Sequence, residues 1–250
     1  MKLEVEKLSF SYGAHEVLKE LSFEAQAGEL IAVLGANGAG KSTLFRCILG
    51  LLKRHGGKIS IDGNDIRKLS ARELSKRLAY IPQSHYPAFN YSVLDMVLMG
   101  TAPSISALGS PRETQRRQAY EALRLLNIEK LAERSYLKLS GGEQQLALIA
   151  RALAQNAKVL LMDEPVANLD FGNQHRVLAT AQSLAKGGYT VLLSTHNPQH
   201  ALQYATRLLA IKDGSLLAEG APKSALNSGL LWELYGIRAE INNGAVIIGQ

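Results

Sequence analysis

The chain has 250 residues, of which 46% are hydrophobic and 20% charged, with a net charge of +6; that is enough apolar material to bury one large core or two small ones. With no low-complexity tract and no fixed-period repeat, it is neither a disordered nor a fibrous chain. No apolar run approaches the roughly 18 residues that a membrane-crossing helix needs, and the start Met1-Lys2-Leu3-Glu4 lacks the layout of a secretory signal, so the cytosol is the expected compartment.

Partial alternation of apolar and polar residues predicts a strand from Leu3 to Phe10. The same period returns at Leu21 to Ala25 and Lys58 to Ile61, with Gly28 and Asp62-Gly63 as turns, and together these read as a small antiparallel sheet. The run Leu30 to Leu34 is instead continuously apolar, as are Val159 to Met162 and Val191 to Leu193. Such runs predict strands of a parallel α/β sheet covered on both faces.

Directly after the first of those runs comes Gly35-Ala36-Asn37-Gly38-Ala39-Gly40-Lys41-Ser42, which opens a helical run from Thr43 to Leu52. Glycines let a backbone wind around phosphates with its N–H groups pointing inward, and a helix N-terminus adds partial positive charge. Lys41 supplies a full charge for β- and γ-phosphates, and the Ser42 hydroxyl suits magnesium. A phosphate-binding loop alone admits kinases, GTPases, helicases and transporters. The single cysteine, Cys47, falls on the helix face Leu44, Cys47, Ile48, Leu51 and is expected to fill core.

From about Ser92 to Ala154 the pattern is mainly helical, with spaced leucines from Gln118 to Leu126 and one apolar face through Leu146, Ile149, Ala150 and Leu153. The stretch Thr101 to Pro111, rich in Ser, Gly and Pro, predicts a loop with little packing. In Leu139-Ser140-Gly141-Gly142-Glu143, Ser140 and Glu143 have capping-box spacing. Ser140 is therefore predicted to start the helix, and the glycines leave its first N–H groups open to an anion. The same spacing also describes a capped helix with no ligand.

The strand Val159 to Met162 delivers Asp163 and Glu164 to its C-terminal end, where ligands of open α/β sheets collect. Successive residues face opposite sides, so Asp163 can face a magnesium shell while Glu164 accepts a proton from an attacking water. Two acids at a strand end also serve simple solvation. The strand Thr190 to Leu193 leads into Ser194-Thr195-His196, whose imidazole can hydrogen-bond a γ-phosphate or orient water. After Gly220, Ile237 to Ile241 and Ala245 to Ile248 flank Asn242-Asn243-Gly244 as a β-hairpin.

In this order and over nearly the whole chain, these motifs resemble the ABC ATPase family. Leu139 to Gln144 is similar to the family's signature sequence, Gly35 to Ser42 to its Walker A pattern, and Val159 to Glu164 to Walker B with the catalytic glutamate. Gln83, in Tyr80-Ile81-Pro82-Gln83, resembles the Q-loop glutamine, Asn168-Leu169-Asp170 the D-loop, and His196 the switch histidine; Tyr12 stands where the family places an aromatic against adenine. The resemblance implies an α/β P-loop NTPase with a RecA-like core, an N-terminal antiparallel β subdomain and an α-helical insert. The ATPase domain would span 1–220, with the insert at about 84–154, and a C-terminal appendage 221–250.

It further implies ATP and Mg2+ as cofactors. Tyr12, Gly35, Asn37, Gly38, Ala39, Gly40, Lys41, Ser42, Thr43, Ser140, Gly141, Gly142 and Asp170 would hold the nucleotide. Ser42, Gln83 and Asp163 would hold the metal, and Glu164, His196 and Gln83 would act in hydrolysis. Two copies would pair head to tail, each ATP lying between the cradle of one and Ser140 to Gly142 of the other. The pair would sit peripherally on the cytoplasmic face of the inner membrane, with a multi-span permease, a substrate-binding protein outside, and no nucleic acid.

Three positions depart from the family pattern: Glu143 stands where glutamine is common, Leu146 where arginine is frequent, and Val166 in place of a threonine or serine. Tyr80 to Gln83, Tyr91 to Gly100 and Trp232 to Gly236 resemble importers of iron-siderophores, haem, cobalamin and molybdate, and residues from about His85 to Met99 are expected to receive a helix of the permease. The alternatives are an export subunit or a non-transport ABC ATPase, although no clustered basic stripe speaks for nucleic acid.

Overall fold

In the computed structural model, which describes residues 1–85, 87–105 and 112–249, β1 (Leu3–Tyr12) returns through the two-residue turn Gly13-Ala14 as β2 (His15–Ala25). Then follow β3 (Leu30–Leu34), α1 (Lys41–Ile48), β4 (Gly56–Ile61), β5 (Asn64–Asp65), α2 (Ala71–Ser75) and β6 (Leu78–Ile81). The helical stretch supplies α3 (Val93–Leu98), α4 (Glu113–Leu125) and α5 (Gly141–Ala154), and leads to β7 (Val159–Asp163). Next are α6 (Phe171–Lys186), β8 (Thr190–Thr195), α7 (Pro198–Tyr204), β9 (Arg207–Lys212) and β10 (Ser215–Gly220). The chain closes with α8 (Pro222–Ala225), α9 (Ser228–Tyr235), β11 (Ala239–Asn242) and β12 (Ala245–Ile248).

These elements form two compact units, Met1–Leu69 with the chain from Ala181 onward, and Ser70–Thr180. The first unit holds the expected antiparallel sheet, in the order β2-β1-β4-β5. Its second strand begins six residues earlier than the alternation from Leu21 suggests. Register shifts along the β1–β2 pair and a left-handed Glu20, φ 49°, break the period that would have marked it.

In the same unit β3 lies between β8 and β9, parallel to both. Every residue of β3 and β8 is buried, which is why neither strand alternates. Ala32 and Leu34 of β3 share a core cluster with Ala201 of α7, Leu208 and Ala210 of β9, and the leucines Leu226, Leu230, Leu231 and Leu234 beyond Gly220. Each fully buried leucine stabilises by roughly 1.5–3 kcal/mol, so the last segment is anchored to the central strand. The terminal hairpin forms as expected around Asn243-Gly244, with φ values of 48° and 76°. That pair of left-handed residues suits a two-residue turn of type I′. Asn242 belongs to the strand, opposite Ala245, and β11 starts at Ala239 rather than Ile237.

The helix after the glycine-rich loop is shorter than its sequence pattern. It stops at Ile48 because Gly50 turns left-handed, φ 67°, and Leu51 is 69% exposed rather than on the buried face. Cys47 is buried, and burial pushes its thiol up to about 12.

In the second unit β6 and β7 pair in parallel, and α3, α4 and α5 pack on one another. Leu146 is buried on α5. The expected loop from Thr101 is a packed 3-10 turn, Met99–Ser104, held by Thr101 Oγ1 donating to the Leu98 carbonyl at 2.8 Å and Ser104 Oγ to that of Thr101 at 2.7 Å. The rest of that loop, 106–111, lies outside the described residues. Among the described residues no helix is long and apolar enough to cross a membrane.

Candidate functional site

Parallel pairing decides where the glycine-rich loop begins. Leu34 lies opposite Thr195, so Gly35 and His196 leave the sheet at one edge, and the Gly35 N–H donates to the Thr195 carbonyl at 3.4 Å. The loop then coils through left-handed Gly38 and Gly40, φ 85° and 103°, conformations in which L side chains are strained. A side chain on Gly35 would come within 2.4 Å of the Ile211 carbonyl. Gly40 is the N-cap of α1 and brings no side chain to the first-turn N–H groups, which leaves them to an anionic ligand.

Lys41 is buried, and its ammonium donates to the loop's own carbonyls, Gly35 at 2.8 Å and Ala36 at 3.0 Å. The charge is thereby stored inside the cradle, where a triphosphate would compete with two neutral acceptors for it. Asn37, Gly38 and Ser42 are exposed along the loop, whereas Ala39, Gly40 and Thr43 are buried. Tyr12, at the end of β1, is 44% exposed and packs edge-on against Phe10 at 4.8 Å. Phe10 fills the core position, so the Tyr12 ring is left for a planar partner.

The second unit repeats the strand-edge arrangement. Ile81 lies opposite Met162, so Pro82-Gln83 and Asp163-Glu164 leave β6 and β7 at the same edge. The Tyr80 hydroxyl donates to Asp163 Oδ2 at 3.2 Å, a contact between paired strands that no motif announces. Glu164 has φ 43°; a left-handed non-glycine costs on the order of 1–3 kcal/mol and tends to persist where function needs it. Ser42, Gln83 and Asp163 are hydroxyl, amide and carboxylate oxygen donors, the hard set that magnesium takes.

The capping box is present at α5. Glu143 N–H donates to Ser140 Oγ at 3.4 Å, while the Ser140 N–H and Oγ both donate to Glu143 Oε2 at 2.9 Å. These bonds from Ser140, its backbone N–H foremost, hold the Glu143 carboxyl below the usual range, with help from the charges of Arg134 and Arg176. Gly141 and Gly142 lie against the segment around Asp170. A side chain on Gly142 would come within 2.1 Å of Asn173 Oδ1, and one on Gly141 within 3.0 Å of Leu169.

Asn173 in turn donates from its backbone to Asp170 Oδ1 at 2.9 Å and from Nδ2 to Oδ2 at 2.6 Å. Those bonds, the backbone one first, keep Asp170 below the usual carboxylate range. The structure therefore brings Ser140, Gly141, Gly142 and Asp170 together through Asn173, which the sequence reading missed. The spacing of Asp170 and Asn173, an aspartate followed three residues later by its partner at a helix start, was the available signal.

The family pattern described as "ABC transporter" matches residues 18–167. The chain is 39% identical over 241 residues to the hemin import ATP-binding protein HmuV of Deinococcus radiodurans, covering 94% of this chain and 90% of that protein. It is 38% identical over 237 residues to the "Probable iron chelatin transport ATP-binding protein" of Helicobacter pylori (strain J99), covering 94% and 93%. Among solved structures, a metal-chelate type ABC transporter in an inward-facing conformation superposes with a TM-score of 0.85 at 34% identity, over 98% of this chain and 95% of that one.

Proposed function

This chain belongs to the ABC transporter family as an ATP-binding, ATP-hydrolysing subunit, and on that premise we propose that it powers import of a metal chelate or related substrate. Iron-siderophore, haem, cobalamin or molybdate define the class. The observation that carries the nucleotide chemistry of this reading is the shared register of β3 and β8, which starts the glycine-rich loop and His196 at one edge of a buried parallel sheet.

The loop amides and Lys41 hold the phosphates, Tyr12 stacks on adenine, and His196 hydrogen-bonds the γ-phosphate. Magnesium, which neutralises phosphate charge, would be held by Ser42, Gln83 and Asp163. Glu164 accepts the proton of the attacking water. A second copy, arranged head to tail, closes over the ATP with its Ser140-Gly141-Gly142 turn, and Asp170 lies at the same junction. Because ATP favours the closed pair, binding shifts the population toward closure and hydrolysis releases it.

A partner permease receives this motion at about His85 to Met99, a stretch that includes Phe89, 68% exposed, and Met99; Tyr86 lies outside the described residues. A substrate-binding protein delivers cargo from the far side, and the subunit works peripherally at the cytoplasmic face of the inner membrane. The similarity to a hemin import protein supports this direction of transport, and the similarity to a probable iron chelatin transport protein supports the substrate class.

The test is Glu164→Gln. The variant is expected to bind ATP as wild type does, to hydrolyse it about 10²- to 10⁴-fold more slowly, and to accumulate as an ATP-bound dimer in light scattering. Wild-type turnover from a protein that stays monomeric with saturating ATP and magnesium would overturn the assignment.

A further inference from the structure

The turn that carries His196 is closed by side chains with no part in the scheme above. Thr195 is 2% exposed. Its hydroxyl oxygen accepts the Asn197 N–H at 3.1 Å and lies 3.1 Å from Nδ1 of His200. The Asn197 carboxamide sits between the start of α7 and that same imidazole. Its Oδ1 accepts the Gln199 N–H at 2.9 Å, and its Nδ2 lies 3.2 Å from His200 Nε2.

The bond to Gln199 fixes which way the amide points, because only the oxygen can accept an N–H. The Asn197 NH2 must then face His200, so Nε2 is the acceptor, and a neutral ring carries its proton on Nδ1, donating to Thr195. Burial, and after it the neighbouring His196, lowers the pKa of His200, which favours that neutral ring. The helix bearing His200 is itself tied down: Gln199 Nε2 donates to the Gly244 carbonyl at 3.0 Å, and its Oε1 accepts the Val246 N–H at 2.9 Å. One ring thus grips the residues on both sides of His196.

We propose that His200 is a positioning residue for His196, holding Thr195 and Asn197 so that the exposed imidazole between them keeps one direction. This rests on the role given above to His196 at the γ-phosphate. In this proposal the effect of His200 on hydrolysis passes through its neighbour.

Steady-state ATP hydrolysis by the full chain tests this with His196→Ala, His200→Ala, their combination, and His200→Asn. His200→Ala is expected to lower kcat about tenfold, the effect of roughly one lost hydrogen bond, with the KM for ATP little changed. The double variant should be no slower than His196→Ala alone, since a group that acts only through His196 has nothing left to act on. His200→Asn, whose amide can still donate to Thr195, should recover part of the loss.

A His200→Ala penalty that persists undiminished in the His196→Ala background overturns the proposal. If His196→Ala leaves turnover at the wild-type level, the reading of the site itself fails first. For a His196→Ala variant too slow to measure, nitrogen-15 spectra of histidine-labelled protein decide: Nδ1–H on His200 and altered His196 ring signals in His200→Ala support the proposal. Nε2–H on His200, or His196 signals unmoved by the substitution, overturn it.

Discussion

The N-terminus of α1 and the N-terminus of α5 both offer open helix N–H groups, yet they are fixed by different parts of the chain. At α1 the N-cap is Gly40, no side chain caps the turn, and the loop is located by strand register and by the Ile211 carbonyl against Gly35. At α5 the turn is located by side chains, the Ser140–Glu143 box on one side and the Asp170–Asn173 pair against Gly142 on the other. A site held by backbone tolerates almost no insertion of atoms, whereas one held by side chains can be broken and then repaired by a second substitution.

The largest effect is expected where the clash is with backbone. Gly35→Ala places its Cβ against the Ile211 carbonyl, overpacking that typically costs about 1–3 kcal/mol, and it should weaken ATP about tenfold or more because the loop itself must shift. Nucleotide titration checks this, and no truncation of a neighbouring side chain should restore affinity. Restoration by such a truncation would erase the distinction.

Gly142→Ala should be as damaging to turnover but partly reversible. Its Cβ would meet the Asn173 side chain, Oδ1 at 2.1 Å, Cγ at 2.4 Å and Cβ at 2.9 Å, so Gly142→Ala with Asn173→Ala, which removes the two closest of these atoms, is expected to recover part of the lost hydrolysis, a coupling of about 0.5–3 kcal/mol. ATP binding by the monomer should be unaffected throughout. Additive losses in the double variant would mean that Asn173 does not set the turn.

The smallest effect concerns the capping box. Ser140→Ala should destabilise the protein by about 1 kcal/mol, measured as a shift in thermal midpoint. Because the folded-state pKa of Glu143 is lowered, the stability it contributes is complete above the ordinary glutamate range and disappears as pH falls through the lowered value. The Ser140→Ala penalty should therefore shrink toward acid pH, and Glu143→Gln should flatten the dependence. An unchanged penalty across that window would show that the carboxylate takes no part in the cap.

Features written into short stretches of sequence were legible. The Gly35 to Ser42 spacing, the Ser140–Glu143 box and the Asn243-Gly244 turn each specify a local conformation through residues seven or fewer apart, and each forms. Less legible was the start of β2, where bulges hide the alternation, and the end of α1, where a glycine outweighs continuing apolar residues. Leu146 lies on the predicted apolar helix face and is also a departure from the family pattern. Its burial on α5 explains why an apolar residue suits that position here.

Sequence by itself determined the chemical groups and the local turns that present them, since capping, glycine torsions and continuous apolar strands depend on near neighbours along the chain. Tertiary structure alone decided that Tyr80 bonds Asp163, that Asn173 abuts Gly142, and that one His200 ring grips both flanks of His196. Hydrogen bonds and steric contacts act over about 3 Å. Which side chains come that close is set by strand register and helix packing, which no residue type encodes alone.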